Sequence, residues 1–243
     1  FRFIQVSTDE VYGSISDGQF NEHSPYDPRS PYSATKAAGD HIARAYHHTY
    51  GISTIITNCS NNYGPYQFPE KLIPLTILNA LDGQPIALYG DGQHMRDWIH
   101  VDDHVSALMK VIEAGRPGET YLIGADTCLT NVDIVHQICG VLDEISPKAG
   151  GTTYLDQIKF VADRPGHDLR YAIDAAKIRA ELDWQPTLEI EKGLEETIRW
   201  YLDSVAWWQP LRSKLYDGSR LGLPEEGANG ASLIDVAIKR ALR

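Results

Sequence analysis

FRFIQVSTDEVYG, residues 1–13, is the stretch from which the rest of the chain is read. Phe1 to Thr8 is a short apolar run rich in β-formers, consistent with a buried parallel strand. The run ends in Ser7-Thr8-Asp9-Glu10, and open α/β sheets bind their ligands at the carboxyl ends of strands. Two adjacent carboxylates there serve as acid and base when their environments separate their pKa values. Taken alone, an Asp-Glu pair after a strand is more commonly a solvated turn. The residues downstream of it change that reading.

A polar loop containing Gly and Pro runs from Gly13 to Ser30. Ser30-Pro31 then supplies an N-cap and a proline at the first helical position. The helix predicted from there passes through Ala34, Ala37, Ala38, Ile42 and Ala45 to a stop at Gly51. Tyr32 and Lys36 lie four residues apart on it, so phenol and ammonium share one face. A nearby cation stabilises phenolate and lets a tyrosine act as a base near neutral pH. YxxxK by itself also describes a solvated pair on a helix surface.

Further strands are expected at Ile52–Asn58, Thr120–Ile123 and Ile158–Val161, and short extended pieces at Pro85–Tyr89 and Asp97–Val101. Further helices are expected at Leu72–Leu81, Val105–Glu113, Val132–Ile145, Ala175–Leu182 and Ile190–Leu202. Strands alternating with helices indicate an α/β fold with a parallel sheet, plus a smaller substrate lobe built from the second half. The tail after Leu223 begins as a linker and ends as a short amphipathic helix.

The 243 residues are 42% hydrophobic, enough for one large domain or a core plus a small lobe. With 23% charged residues the composition is that of an ordinary globular protein. A net charge of -11 argues against nucleic acid or an anionic membrane as the main partner. Cys59, Cys128 and Cys139 show neither CxxC nor Cys/His ligand spacing and are expected as reduced thiols of a cytoplasmic protein. No apolar run approaches the ~20 residues that cross a membrane. No signal peptide is seen, and Phe1 to Ser7 reads as the middle of a fold.

Five ordered segments carry a resemblance: STDEVYG, SPYSATKAAGDH, TNCSNNYGPYQFPEKLIP, YGDGQHMRDWIHVDDH and DRPGHDLRYAID. In order and spacing the chain resembles the dTDP-glucose 4,6-dehydratase family of extended short-chain dehydrogenase/reductases, over about Phe1 to Leu223. The Asp-Glu pair is the discriminating part, because related epimerases and decarboxylases share the Tyr/Lys region but usually lack it. The resemblance implies the C-terminal part of a Rossmann-type parallel sheet, with a smaller mixed α/β substrate-binding lobe. Residues 1–84 would belong to the sheet domain and 85–223 mainly to the nucleotide-sugar lobe, with some return to the sheet; 224–243 would be a tail.

The resemblance also implies roles. Thr8, Asp9, Glu10, Tyr32 and Lys36 would be catalytic. Ser7, Tyr32, Lys36 and Asn62 would contact NAD. Thr8, Asn61, Lys71, Leu72, Ala87, Leu88, Tyr89, Arg96, Asn131, Asp163, Arg164, Pro165, Gly166 and His167 would contact dTDP-glucose. Lys71 and Leu72 open a helix, where backbone N–H groups favour anions, and arginines offer phosphate a bidentate fork. No metal is implied. His94, His100 and His104 lack a metal-like partner set, and Trp184, Trp200, Trp207 and Trp208 are expected in packing. The resemblance implies a homodimer through the Tyr/Lys helix, whose Ala37, Ala38, Ala45 and Tyr46 suit close packing, and a second helix from the N-terminal half.

The chain departs from the family in one respect. A glycine-rich dinucleotide loop should precede the first motif by roughly 100 residues, about four strand–helix units. None stands in these residues, so these residues alone are expected to be inactive. Three explanations compete: part of a longer polypeptide, a truncated paralogue without NAD binding, or a second chain supplying the other half. The functional rivals are an NAD-dependent nucleotide-sugar epimerase or decarboxylase and a non-catalytic nucleotide-sugar-binding protein.

Overall fold

The computed structural model describes residues 1–163, 166–214 and 216. Eight strands are β1 (Phe3–Thr8), β2 (Thr54–Cys59), β3 (Asn61–Tyr63), β4 (Ile86–Tyr89), β5 (Met95–His100), β6 (Thr120–Ile123), β7 (Cys128–Thr130) and β8 (Ile158–Val161). Seven helices are α1 (Pro31–Tyr50), α2 (Leu72–Leu81), α3 (Val101–Ala114), α4 (Asn131–Ile145), α5 (Ala176–Leu182), α6 (Ile190–Asp203) and α7 (Val205–Lys214).

The α/β class expected from the alternation is what forms. The order β1-β2-β6 makes a parallel sheet, with Phe3 opposite Thr54 and Thr8 opposite Cys59. A second sheet, β3-β5-β7, is mixed, and β4 and β8 form a parallel pair. Alternation along β6 directs Tyr121 and Ile123 into one core with Ile55, Ala107, Val111 and Ile178, and Leu122 into another with Val11, Tyr12, Ala37 and Ile173. A third core joins α2, α4 and α6 through Ile73, Ile77, Ile138, Leu142, Leu194 and Ile198.

α1 follows its sequence signals at both ends. Ser30 accepts from the Ser33 N–H while the Ser33 hydroxyl accepts from the Ser30 N–H, a reciprocal cap ahead of Pro31. Gly51 closes the helix at φ 66°, where a side chain would strain.

Several expectations need correction. Among the described residues β1 lies at the edge of its sheet, with Phe3 and Val6 42% and 41% exposed; only its Ser7 and Thr8 are buried. Ala37 faces the core, so the outer face of α1 is instead Ala38, Ile42, Ala45 and Tyr46. α3 begins at Val101 rather than Val105, because the His100 imidazole accepts from the Asp102 N–H and two aspartates sit in the positive first turn. β3, β7 and α7 are too short or too weakly periodic for the sequence to announce them. The expected tail helix lies outside the described residues. Among those residues no helix is long and apolar enough to cross a membrane.

Candidate active site

β1 delivers Thr8 to the start of a 3-10 turn, Asp9–Tyr12, which Gly13 ends at φ 78°. A Cβ on Gly13 would meet the Asp27 carbonyl at 2.6 Å, so the turn needs glycine there on two counts. Thr8 Oγ1 accepts from the Glu10 N–H and donates to Asp9 Oδ1, both at 3.3 Å. Asp9 is 2% exposed and its carboxyl is pushed up to about 8. Burial is the main cause; Glu10 and Asp97 add to it, and Arg96 and the Thr8 hydroxyl oppose it. Asp9 is therefore a protonated acid at neutral pH, while Glu10 beside it is only half-buried.

α1 brings Tyr32 and Lys36 to the same place. The Tyr32 phenol is 53% exposed, and its pKa is raised by burial first and then by Glu10, Cys59 and Asp9. Lys36 Nζ donates to the Val6 carbonyl at 2.8 Å. The expectation that Lys36 depresses the phenol pKa is not met: desolvation and the nearby acids raise it. The Cys59 thiol, half-buried beside them, is held up at about 12, mainly by desolvation, and is no nucleophile.

Ser7 and Asn62 turn their side chains inward. Ser7 Oγ donates to Asp40 at 2.8 Å. Asn62 Nδ2 donates to the Ser60 carbonyl at 3.0 Å, which directs its Oδ1 to His104 Nδ1 at 2.8 Å. His104 is thereby the Nδ1–H tautomer, and burial lowers its pKa to about 4. Asn61 Oδ1 is buried with no hydrogen-bond partner among the described residues.

A second group assembles from distant segments. His94 Nε2 lies 3.2 Å and His167 Nδ1 2.8 Å from the two oxygens of Asp163. The two imidazoles stack at 3.6 Å with planes 15° apart, and Tyr89 meets His167 edge-on. The Asn131 N–H donates to the His94 carbonyl. Arg96 is buried, stacked on Tyr171 at 4.3 Å, and donates to the carbonyls of Met95, Asp168 and Leu169. It braces the segment after Gly166-His167 from within and acts on Asp9 from there.

His94 thus has partners that are invisible in sequence. Its nitrogen, one from His167 and an Asp163 oxygen lie within 4.8 Å of one another. Stacked rings point their lone pairs side by side rather than at one point, and both nitrogens already face the carboxylate. The trio is better described as a carboxylate bridging two imidazoles than as a metal cage.

The remaining candidates divide. Ala87 and Tyr89 face outward from β4, but the Leu88 side chain is in the core and leaves only its backbone for a ligand. Lys71 stands at the N-cap of α2 ahead of Leu72, its ammonium paired with Glu70 at 3.0 Å. Arg164 and Pro165 lie outside the described residues. Sequence reasoning missed Asp40, Asp97, Asp168 and Tyr171. Buried polar side chains carry no local signal; DW and HD dipeptides look like surface turns until the fold is known.

A family model described as GDP-mannose 4,6 dehydratase matches residues 1–197. The chain is 57% identical to a probable dTDP-glucose 4,6-dehydratase of Sinorhizobium fredii over 93% of its length, and 55% identical to a dTDP-glucose 4,6-dehydratase of Neisseria meningitidis over 91%. It spans 64% of the length of each. Among solved structures, dTDP-glucose 4,6-dehydratase from Bacillus anthracis in complex with NAD superposes with a TM-score of 0.80 at 51% identity, covering 86% of this chain and 64% of that one. UDP-glucuronic acid 4-epimerase from Bacillus cereus follows at 0.74 and 29%, covering 83% and 62%.

Proposed function

Because the chain belongs to the GDP-mannose 4,6 dehydratase family, we propose that it is the acid–base and nucleotide-sugar-binding part of an NAD-dependent dTDP-glucose 4,6-dehydratase. The observation that carries this is the meeting of three proton-handling groups at one strand end: the protonated, buried Asp9, the half-buried Glu10 and the Tyr32 phenol. An epimerase needs only the tyrosine. Elimination of water needs a base for carbon and an acid for the leaving hydroxyl as well.

The residues fit the nicotinamide-ribose half of NAD. Tyr32 offers a half-exposed phenol, and Lys36, one turn on, has N–H donors beyond the one given to Val6 for a ribose diol. Ser7 and Asn62, their side chains turned inward, would shape the floor with backbone. NAD, when bound, supplies a hydride acceptor that takes hydrogen from C4 of the sugar and returns it to C6.

Tyr32 removes the proton of the 4-hydroxyl, which Thr8 Oγ1 orients. The resulting ketone acidifies C5–H, and Glu10 takes that proton. Asp9, held neutral by burial, gives its proton to the departing 6-hydroxyl as water. The diphosphate and base would lie along Ala87–Tyr89, Asn131 and the Asp163–His167 segment. Residues 1–84 would serve as the sheet part and 85–223 mainly as the sugar lobe. We further propose a homodimer through the outer face of α1, where Ile42, Tyr46 and Tyr50 are exposed, and a cytoplasmic setting in keeping with three free thiols.

The test is product analysis with these residues joined to a dinucleotide-binding part of the family and loaded with NAD: dTDP-glucose should yield a 4-keto-6-deoxy sugar, seen as its alkaline chromophore. Tyr32→Phe should lower kcat by about 100-fold or more with little change in substrate Kd, since it removes a group acting in the transition state. A 4-epimer without the chromophore would assign the epimerase activity instead.

A further inference from the structure

Behind the catalytic face of α1 sits a carboxylate with no place in the chemistry above. Asp40 is fully buried, and it follows Tyr32 and Lys36 at successive turns of the same helix. Its Oδ2 accepts three hydrogen bonds from three different segments: Ser7 Oγ at 2.8 Å, Tyr26 OH at 2.9 Å and Asn58 Nδ2 at 3.3 Å. The Asn58 amide also donates to the Thr8 carbonyl at 3.1 Å. Asp40 thus grips the chain at Ser7 directly and at Thr8 through Asn58, immediately before Asp9 and Glu10.

One turn earlier, Lys36 Nζ donates to the Val6 carbonyl. The helix bearing the phenol is tied to three consecutive residues of β1, Val6 to Thr8. On the far side Arg44 donates to the Tyr26 hydroxyl at 3.0 Å and lies 4.9 Å over its ring, which turns that hydroxyl's proton toward Asp40. A main-chain hydrogen bond from within α1 could not do this job, because the helix interior has its backbone groups committed to the helix.

We infer that Asp40 is a positioning residue: it fixes the separation between the Tyr32/Lys36 face of α1 and the Thr8–Glu10 turn, on which the order of proton transfers depends. The inference rests on the proposed dehydratase reading. A buried oxygen accepting three bonds tolerates little movement of any donor, and an ångström of misplacement between reacting groups costs on the order of 100-fold in rate.

The experiment uses NAD-loaded enzyme and dTDP-glucose, with rates expressed per cofactor-containing site. Asp40→Ala removes the shared acceptor; Asp40→Asn keeps an oxygen where Oδ2 stands. Asp40→Ala should lower kcat per site about 10- to 100-fold while KM moves by less than about three-fold, and Asp40→Asn should recover to within about five-fold of wild type. A role confined to folding would lower the number of sites and the melting temperature and leave kcat per site alone; that outcome overturns the inference. Equal impairment of both variants overturns it too. Should Asp40→Ala fail to fold, Tyr26→Phe deletes one donor and keeps its ring; it should cut kcat about two- to five-fold at constant KM, and an unchanged kcat decides against the inference. A wild-type enzyme releasing no keto sugar would remove the proposed function itself, a result distinct from an active wild type with an indifferent Asp40.

Discussion

His94 and His167 stack face to face at 3.6 Å, and each presents a ring nitrogen to a different oxygen of Asp163. The pair joins the loop before β5 to the segment after β8, the two pieces of chain that flank the outward residues of β4. This junction adds a side-chain tie to an edge also held by the β4–β8 pairing and by the bridge between Met95 and Arg170.

Asp163→Ala should therefore loosen that edge. We expect dTDP affinity to fall about five- to twenty-fold, with a melting temperature within a few degrees of wild type, because the bond is local and partly exposed. Calorimetric titration with dTDP checks the first part. Treatment with a chelator should leave melting temperature and dTDP affinity unchanged; a loss restored by a divalent ion would make the trio a metal centre.

Asp9 contributes a distinct slope to the pH dependence of stability. Its carboxyl titrates near 8 in the fold against 3.8 in the unfolded chain, so between these values the native state holds more protons. The Asp9 contribution to stability then falls as pH rises from about 4 to about 8, at up to about 1.4 kcal/mol per unit, while buried His104 acts in the opposite sense below about 6.5. Asp9→Asn should flatten this slope and raise stability at pH 8 by about 1–3 kcal/mol. Urea unfolding at pH 5 and pH 8 measures it, and parallel pH profiles for variant and wild type would refute it.

The two carboxylates should separate in exchange experiments. Glu10→Gln should still oxidise C4, yet exchange of C5–H with deuterated solvent should stop. Asp9→Asn should keep part of that exchange while water loss slows about 100-fold or more. Wild-type exchange rates in both variants would show that Glu10 is not the base.

Ser30 and Ser33 cap α1 reciprocally, and α1 carries Tyr32, Lys36 and Asp40. Ser30→Ala should cost about 1 kcal/mol and lower the melting temperature by a few degrees; Ser30→Gly should cost less. Equal melting temperatures for Ser30→Ala and wild type would show that the cap contributes nothing.

Much of the fold can be read along the chain where the signal is local. Ser30-Pro31 and Gly51 mark α1 because capping is settled within four residues of a helix end. The limits of β6, β8 and α2 follow from apolar runs bounded by turn residues. The start of α3 reads one turn late in the sequence because the His100 cap is a side-chain bond that competes with an equally plausible extended reading. β3 and β7, three residues each, exist only because β5 lies between them.

For the site, the sequence determined which chemical groups lie at a strand end and on a helix face: Thr8, Asp9 and Glu10 in one run, Tyr32 and Lys36 at a helical spacing. Tertiary structure alone decided their state. Asp9 is an acid rather than a carboxylate because packing removed its water, and the Tyr32 phenol is raised by partial burial first and then by the two acids and the thiol folded against it. Tertiary structure likewise turned Ala37 and Leu88 inward, brought His94 to His167 and placed Asp40 behind Ser7. Periodicity and capping act over one or two turns and are written in neighbouring residues. Desolvation and charge–charge effects depend on distance through space, which a linear pattern does not contain.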